Sequence, residues 1–327
     1  MKSFLTITII CISLSSLADS FRLEGKAFHP AKKLEIVWQA TNDLPRGLWI
    51  YKVLPEAFSP AVISNAMQLG RFTMKNLSQT TETPIPDEHL LYFFAWNNET
   101  NDLRRFLYIA PSLGAMRYSS QRDYKAPIED VPTTEDVVKL AEDVLFQLGI
   151  DRELYYHPVT GYDITCTSFK YDKQAHQAIG PGITTVTSRG CAFSRRIDGV
   201  SEANASCFLI QFRSHGEIED FRLDWKSLSP HASRRTLTKD EITQLIKSGQ
   251  ASLPEQHKDT SIVKTAKRLT ITKIEPVYYT GGPGEQLDYV YPYADIEATA
   301  DWGGTNTFQV YLQCPILPST KLIPVSP

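Results

Sequence analysis

Two groups of ionisable residues stand close enough in the sequence to supply an acid and a base. His157 and Asp163 flank one turn, and His215, Glu217 and Asp220 crowd a second one. In a cleft, a histidine and a carboxylate form the pair that general acid–base catalysis requires. Side chains on hairpin turns are usually exposed, whereas burial and charged neighbours tune catalytic groups. The pattern therefore favours a structural role for both groups.

Motifs for nucleophilic or phosphate chemistry are incomplete. Ser188-Arg189-Gly190-Cys191 lacks the Gly-x-Ser-x-Gly elbow of hydrolases. The glycine-rich segment 281–284 lacks the Lys-Ser/Thr pair of a phosphate loop, and Pro283 has no amide hydrogen to donate. This segment is therefore predicted to be a hairpin loop. No catalytic residue and no cofactor are expected.

Apart from Cys11, four cysteines remain, and their even number allows two disulfides in an exported protein. They are Cys166, Cys191, Cys207 and Cys314. The first three are close together in a predicted sheet, so one bond is expected between two of them; the spacing does not fix the pairing. A zinc site is the alternative, but no C-x-x-C or H-x-x-x-H spacing supports it, so no metal is expected.

Aromatic residues near the glycine-rich segment form the best candidate for a ligand-binding surface. The set is Tyr278, Tyr279, Tyr289, Tyr291, Tyr293 and Trp302. Tyrosine and tryptophan combine a large contact area with a polar group, which suits a peptide or a sugar. The alternative is ordinary cross-strand packing of aromatic side chains.

The amino terminus is typical of a cleavable secretory signal. Lys2 is followed by the apolar run 4–17, and Ser16-Leu17-Ala18 places small residues at the positions that a signal peptidase reads. Cleavage is expected after Ala18, giving a secreted or periplasmic product. The run is too short and too rich in serine and threonine for a typical membrane span, although an uncleaved anchor is the alternative. No later segment is apolar enough to span a bilayer.

Composition indicates a globular chain that does not bind nucleic acid. Hydrophobic residues make up 42% of the 327 residues, enough to build a core, and the net charge is −3. Phosphate binding requires clustered positive charge, which the short arginine pairs do not provide. Three Asn-x-Ser/Thr sites are candidate glycosylation acceptors, at Asn76, Asn98 and Asn204.

Three helices are predicted from their capping residues and stop signals. They begin after Ser59, near Thr133–Thr134 and at Thr238, and each ends at a glycine, namely Gly70, Gly149 and Gly249. Between them the chain alternates as strands separated by turn residues. The predicted strands are 90–96, 103–109, 162–171, 183–187, 192–197, 207–212, 218–225, 269–279, 289–298 and 308–312.

A short internal repeat is predicted. Residues 106–116 align without a gap on residues 208–218, sharing Phe, Leu, Ser and Gly, and each copy precedes a threonine-capped helix. Glycine suits the turn because it tolerates positive φ. The expected fold is therefore α+β, with repeated units of antiparallel sheet and a helix packed on one face.

The second copy resembles a known type of module. Residues 208–225, with their glycine hairpin and Trp225, followed by the helix that begins at Thr238, are similar to PepSY-type and YycH/YycI-like domains. The strands 271–279, 289–296 and 308–312 are similar to the closing strands of the YycI-like pattern. The resemblance extends over about 130–317. It implies an exported, non-catalytic protein that binds or restrains a partner protein, although the cleavable signal and four cysteines depart from that family.

Two functions are compatible with these sequence features. The first is an exported binding or regulatory protein that engages a protein or peptide, and the second is a secreted hydrolase acting on glycans or peptides. The predicted organisation is a signal at 1–18, an α+β unit at 19–130, a PepSY-like unit at 131–250 and closing strands at 251–327. An enzyme requires converging ionisable groups in a pocket, and a binding protein requires a receptive surface.

Overall fold

The computed structural model of the protein covers most of the chain in describable form. The described residues are 20–23, 26–31, 33–55, 57–78, 90–96, 103–121, 128–172, 177–203, 207–253, 265–281, 287–303, 307–318 and 321–324. The expected signal segment 1–18 lies outside these residues, and so do Asn98 and Asn204. The signal and two of the glycosylation sites therefore stay predictions.

Three α-helices occur in the described residues, each with the capping residue that the sequence predicts. They are α1 (Pro60–Leu69), α2 (Thr134–Gln147) and α3 (Lys239–Lys247). The side chains of Ser59, Thr133 and Thr238 each accept a hydrogen bond of 3.2–3.3 Å from the main-chain N of the third residue along. The three helix predictions are confirmed. None of these helices has the length and apolar character needed to cross a bilayer.

Twenty strands occur in the same residues. They are β1 (Ser20–Leu23), β2 (Lys26–Phe28), β3 (Glu35–Trp38), β4 (Gly47–Val53), β5 (Leu77–Ser78), β6 (Leu91–Trp96), β7 (Leu103–Ala110), β8 (Ala115–Ser120), β9 (Tyr155–Asp172), β10 (Gln177–Ile197), β11 (Val200–Glu202), β12 (Phe208–Phe212), β13 (Ile218–Asp224), β14 (Leu228–Arg235), β15 (Ala251–Leu253), β16 (Arg268–Tyr278), β17 (Tyr289–Val290), β18 (Pro292–Asp301), β19 (Thr307–Pro315) and β20 (Lys321–Pro324). Helices and strands together make an α+β fold, which confirms the predicted class.

The chain divides into two compact units. Unit one consists of Met1–Arg46, Arg235–Glu275 and Ala294–Pro327, and unit two consists of Gly47–Arg234 and Pro276–Tyr293. The sequence predicts consecutive segments at 19–130, 131–250 and 251–327. Each compact unit combines residues from more than one of them.

Unit two contains an antiparallel sheet in the order β10-β12-β13-β8-β7-β6-β5, with β9 paired to β10. Because strand side chains alternate, one face collects the buried residues Phe93, Leu107, Phe208 and Phe221. Residues of α1 and α2, among them Ala66, belong to the same apolar core. The other face of the sheet carries the intervening residues of each strand.

Strands β9 and β10 are longer than the sequence predicts. Residues Gln177–Ile197 form one strand of 21 residues, whereas the sequence predicts separate strands at 183–187 and 192–197. The pairing of β10 with β9 shifts register between Ile179 and Ile183. A bulge at this place accommodates the extra residues without ending the strand.

Unit one contains a mixed sheet in the order β2-β15-β19-β18-β16, and β3 pairs in parallel with β16. Alternate residues of β18 are buried, as Ile296 and Ala298 show, and β19 is buried continuously from Leu312. Helix α3 buries Ile242 and Ile246. The strands predicted at 269–279 and 308–312 are confirmed as β16 and β19, whereas the strand predicted at 289–298 is divided into β17 and β18.

The two copies of the predicted repeat share a local conformation. Each is a hairpin, β7–β8 or β12–β13, and its turn glycine has positive φ, 65° at Gly114 and 70° at Gly216. In both turns the glycine N donates to the carbonyl oxygen three residues earlier, at 3.3 Å and 3.1 Å. The helices that follow belong to different units, α2 to unit two and α3 to unit one. A repeated unit of sheet plus helix is therefore not confirmed.

Candidate functional site

Most of the predicted aromatic binding set is buried. Tyr278, Tyr279, Tyr291 and Tyr293 are between 0% and 8% exposed. The hydroxyl of Tyr278 donates a 2.9 Å hydrogen bond to the main-chain oxygen of Trp49. Only Tyr289 and Trp302 of this set are partly exposed. A ligand-binding role for the set stays a prediction, and it rests on those two residues.

The four cysteines are free thiols. Cys166 is exposed, whereas the Cys191 thiol lies 3.8 Å from the carbonyl oxygen of Val137 and the Cys207 thiol lies 3.3 Å from that of Phe193. The expected disulfide among the first three is not formed, because the sheet register places Cys166 opposite Thr185 and Cys191 opposite Ile210. Cys314 is buried in unit one.

In the described part of the chain, Asp163 and Asp220 each have partners outside their predicted acid–base groups. Asp163 pairs with Arg189 at 2.5 Å, and the side chain of His157 lies outside the described part of the chain. Asp220 lies in β13 opposite Ser119, and its side chain interacts with Ser119 and Arg117. Asn76 is described, and its side-chain amide donates a 3.2 Å hydrogen bond to the Phe94 carbonyl oxygen. Glycosylation at this residue stays a prediction.

A cleft in unit two brings together residues that are distant in the sequence. It has a cavity volume of about 720 Å³, and we call it the arginine cleft after four of its lining residues, Arg71, Arg104, Arg105 and Arg213. Two glutamates, Glu129 and Glu217, and His215 also line it. Arginines therefore outnumber carboxylates in the lining by two to one.

The four arginines come from one helix end and two strand ends. Arg71 follows the end of α1, Arg104 and Arg105 follow the first residue of β7, and Arg213 follows β12. The antiparallel pairing of β7, β8, β13 and β12 brings these strand ends to the same end of the sheet. For example, the main-chain N of Gln121 after β8 donates a 2.7 Å hydrogen bond to the Arg104 carbonyl oxygen.

Two of the arginines are held by protein groups. Arg105 donates a 3.0 Å hydrogen bond to the Gly70 carbonyl oxygen, and Arg213 forms a 2.9 Å salt bridge with Glu217. Among the residues that the structure describes, neither Arg71 nor Arg104 forms an ion pair. These two guanidinium groups are therefore the ones that an anionic ligand can recruit.

The buried Tyr118 lies in the positive electrostatic potential of the cleft arginines. Burial raises the pKa of Tyr118, and the charges of Arg105, Arg213 and Arg71 act in the opposite direction. Three guanidinium groups thus act on the hydroxyl of Tyr118, a residue that is 5% exposed. Their positive field stabilises any negative charge placed beside them.

Left-handed backbone is concentrated around the arginine cleft. Four described residues other than glycine have positive φ, and three of them, Arg71, Asp130 and His215, line the cleft or adjoin its lining. His215 Nδ1 lies 3.5 Å from the Asp130 carboxylate. Left-handed conformations are unfavourable for L-residues and cluster at functional sites. Arg71 occupies the position after a helix where glycine is usual.

Comparison with known proteins yields a fold-level resemblance only. No family model matches the sequence, and no curated protein matches it. An uncharacterized protein from Eubacterium rectale is similar in structure, with a TM-score of 0.41, 10% identity, and coverage of 86% of each chain. YycH from Bacillus subtilis is similar with a TM-score of 0.34 and 10% identity, covering 81% of this chain and 52% of that one. The present chain thus spans about half of YycH, and the likeness is weak.

The sequence predicts His215 and Glu217 as neighbours but does not predict the four arginines beside them. Arg71, Arg104 and Arg213 are separated by long stretches of chain, and only the pairing of the strands brings them together. A weak signal was present in Arg71, a bulky residue directly after the helix-ending Gly70. Guanidinium groups bind carboxylates and phosphates through paired hydrogen bonds, so the arrangement is suited to an anionic ligand.

A second set of charged residues in unit two is buried away from this cleft lining. Arg195 is 9% and Lys226 is 8% exposed, and the Lys226 ammonium donates a 2.6 Å hydrogen bond to the Thr280 carbonyl oxygen. The Thr280 hydroxyl donates to Glu202. The other carboxylate oxygen of Glu202 is buried without a hydrogen-bond partner among the described residues. Burial raises the pKa of Glu202 to about 7, against the effects of Thr280, Arg195 and Lys226.

Proposed function

We propose that this protein is a non-catalytic binding protein that takes an acidic segment of a protein or peptide partner into the arginine cleft. The observation that carries the proposal is the excess of arginine in the lining, with Arg71 and Arg104 outside any ion pair in the described part of the chain. Each guanidinium presents a planar fork of donors that matches a carboxylate.

The size and the backbone of the cleft support a binding role. A volume of about 720 Å³ lies within the range of ligand sites in proteins. The left-handed φ of 55° at Arg71 is unfavourable, and a residue in such a conformation is consistent with selection for its side chain. Nucleic acid is a poor candidate for the anion, because the whole chain carries a net charge of −3.

A hydrolase is the second candidate, favoured by one observation. His215 and Asp130 lie 3.5 Å apart beside the cleft, as a general base and its orienting carboxylate do. Their side chains are 62% and 84% exposed, so the protein does little to exclude water from them. Turnover of glycan or peptide substrates that disappears in His215→Ala would support this function over binding alone.

The binding proposal is tested with a labelled acidic decapeptide, four acidic residues followed by alternating glycine and serine. We expect fluorescence anisotropy to show binding that weakens as the salt concentration rises, because ions screen the attraction. Arg104→Ala should weaken binding about tenfold, corresponding to the loss of one charge-assisted hydrogen-bonded contact. Arg46→Ala is the matched control, because Arg46 is exposed and lies outside the cleft lining.

Arg71→Gly separates binding from folding. Glycine adopts positive φ freely, so this change should leave the free energy of unfolding equal or raise it by up to about 1 kcal/mol. The lost cation should weaken peptide binding about tenfold. Equal peptide affinity in the wild type, Arg71→Gly and Arg104→Ala would refute the proposal.

A further inference from the structure

An aromatic row lies on the sheet face of unit two that is opposite the core. Strand β6 places Tyr92, Phe94 and Trp96 on one face, because strand side chains alternate. The ring centroids of Tyr92 and Phe94 are 6.3 Å apart with an interplanar angle of 7°, and those of Phe94 and Trp96 are 6.1 Å apart. We call these three residues the aromatic row.

The neighbouring strand extends this aromatic surface. Tyr108 and Phe106 of β7 lie opposite Tyr92 and Phe94 in the sheet register, and the Tyr92 and Tyr108 centroids are 5.1 Å apart. Phe93, on the opposite face, is 1% exposed and belongs to the apolar core. Within the row Trp96 is 53% exposed, and Tyr92 and Phe94 are partly exposed. Accessible aromatic side chains of this kind are typical of binding surfaces.

The aromatic row runs toward the arginine cleft. Trp96 pairs with Leu103, the first residue of β7, and the next two residues are the cleft arginines Arg104 and Arg105. Arg105 in turn pairs with Ser120, another lining residue. The Trp96 end of the row and the arginines therefore share one end of the sheet. Arg104 lies on the face of the row, whereas Arg105 and Ser120 lie on the core face.

We infer that the partner segment is an extended peptide in which acidic residues adjoin alternating apolar residues. This inference rests on the proposed function of the cleft and names the chemistry of its ligand. In an extended chain, side chains on one face recur about every 6.6 Å. The rings of the row recur at 6.3 and 6.1 Å, so each can contact one apolar side chain, while the acidic residues pass Arg104 at the end of the sheet and enter the cleft. Contact with aromatic rings adds apolar burial to the ionic attraction.

The test compares three labelled decapeptides of equal charge. The first is the acidic peptide with glycine and serine, and the second replaces each glycine with leucine. The third carries the leucine–serine block before the acidic block, because the chain direction of the partner is open. We expect one leucine peptide to bind about tenfold more tightly than the acidic peptide, and Trp96→Ala to remove most of that gain while leaving the acidic peptide's affinity unchanged.

Phe146→Ala is the control, because Phe146 is an exposed aromatic residue of α2, 81% accessible, outside the aromatic row. Equal affinities of the three peptides for the wild type would overturn the inference and leave the cleft proposal standing. The inference would also be overturned if Trp96→Ala and Tyr92→Ala both kept the full gain in affinity for the leucine peptide. Leucine-peptide binding that is unaffected by Arg104→Ala and Arg71→Gly would instead overturn the cleft proposal.

Discussion

The guanidinium carbon of Arg195 lies 4.4 Å from the centre of the Trp225 ring. The same guanidinium donates a 2.6 Å hydrogen bond from Nη1 to the carbonyl oxygen of Lys226. Arg195 is 9% exposed, and burial lowers its pKa, against the effects of Glu202 and two further groups. Among the described residues this buried cation forms no direct ion pair, and stacking and a hydrogen bond hold it instead.

Arg195→Lys should destabilise unit two although it preserves the charge. Lysine lacks the planar group that stacks on Trp225, and its single ammonium cannot keep the geometry of the Lys226 contact. We expect the free energy of unfolding, measured in urea, to fall by about 2 kcal/mol. Arg196→Lys is the control, because Arg196 lies 5.0 Å over the Tyr156 ring but is exposed. Equal effects of the two changes would contradict this account of Arg195.

Glu202 should make stability depend on pH. Burial raises its pKa from 4.5 to about 7 in the folded protein, so the folded state holds a proton that the unfolded state releases. Stability is then full below about pH 4.5 and decreases as the pH rises to about 7, by about 3 kcal/mol in total. Glu202→Gln stays neutral and should be more stable than the wild type at pH 8 by a similar amount.

The stabilities of Glu202→Gln and the wild type should converge below about pH 4.5, where the Glu202 side chain is neutral in both the folded and the unfolded wild type. Thermal unfolding at several pH values measures this difference. Glu153→Gln, at an exposed position, serves as the control and should follow the wild type. A constant difference between Glu202→Gln and the wild type across the pH range would show that Glu202 does not titrate in this window.

Local signals in the sequence predict the helices and most strands, because caps and alternation act over a few residues. Thr133 and Thr238 cap their helices as expected. Which face of a strand is covered depends on distant residues, so the burial of Tyr278 and Tyr293 was not apparent. The alternation of Tyr92, Phe94 and Trp96 in the sequence indicates that they share one face of a strand. The arginine cleft depends on the pairing of strands far apart in the chain, which local signals do not contain.

Thiol labelling should distinguish Cys166 from the other cysteines. Cys166 is exposed, whereas Cys191, Cys207 and Cys314 are buried. Burial raises the pKa of Cys191 to about 12 and raises those of Cys207 and Cys314 as well, so their reactive thiolate forms are suppressed. For protein lacking residues 1–18, mass spectrometry after maleimide treatment should find one adduct natively and four after unfolding. Absence of label even after unfolding would instead indicate disulfides.

Gly114 should tolerate substitution less well than Gly149, although both have positive φ, 65° and 76°. A Cβ atom at Gly114 would lie 2.7 Å from the Trp225 carbonyl oxygen, whereas nothing lies within 4 Å of one at Gly149. Gly149→Ala therefore incurs only the backbone penalty, about 1 kcal/mol, and Gly114→Ala incurs that penalty plus displacement of the Trp225 backbone, about 3 kcal/mol or more in all. Urea unfolding of the two variants measures the difference. Equal destabilisation would mean that the backbone at Trp225 yields freely, which its 2.6 Å hydrogen bond from N to the Gly114 carbonyl oxygen argues against.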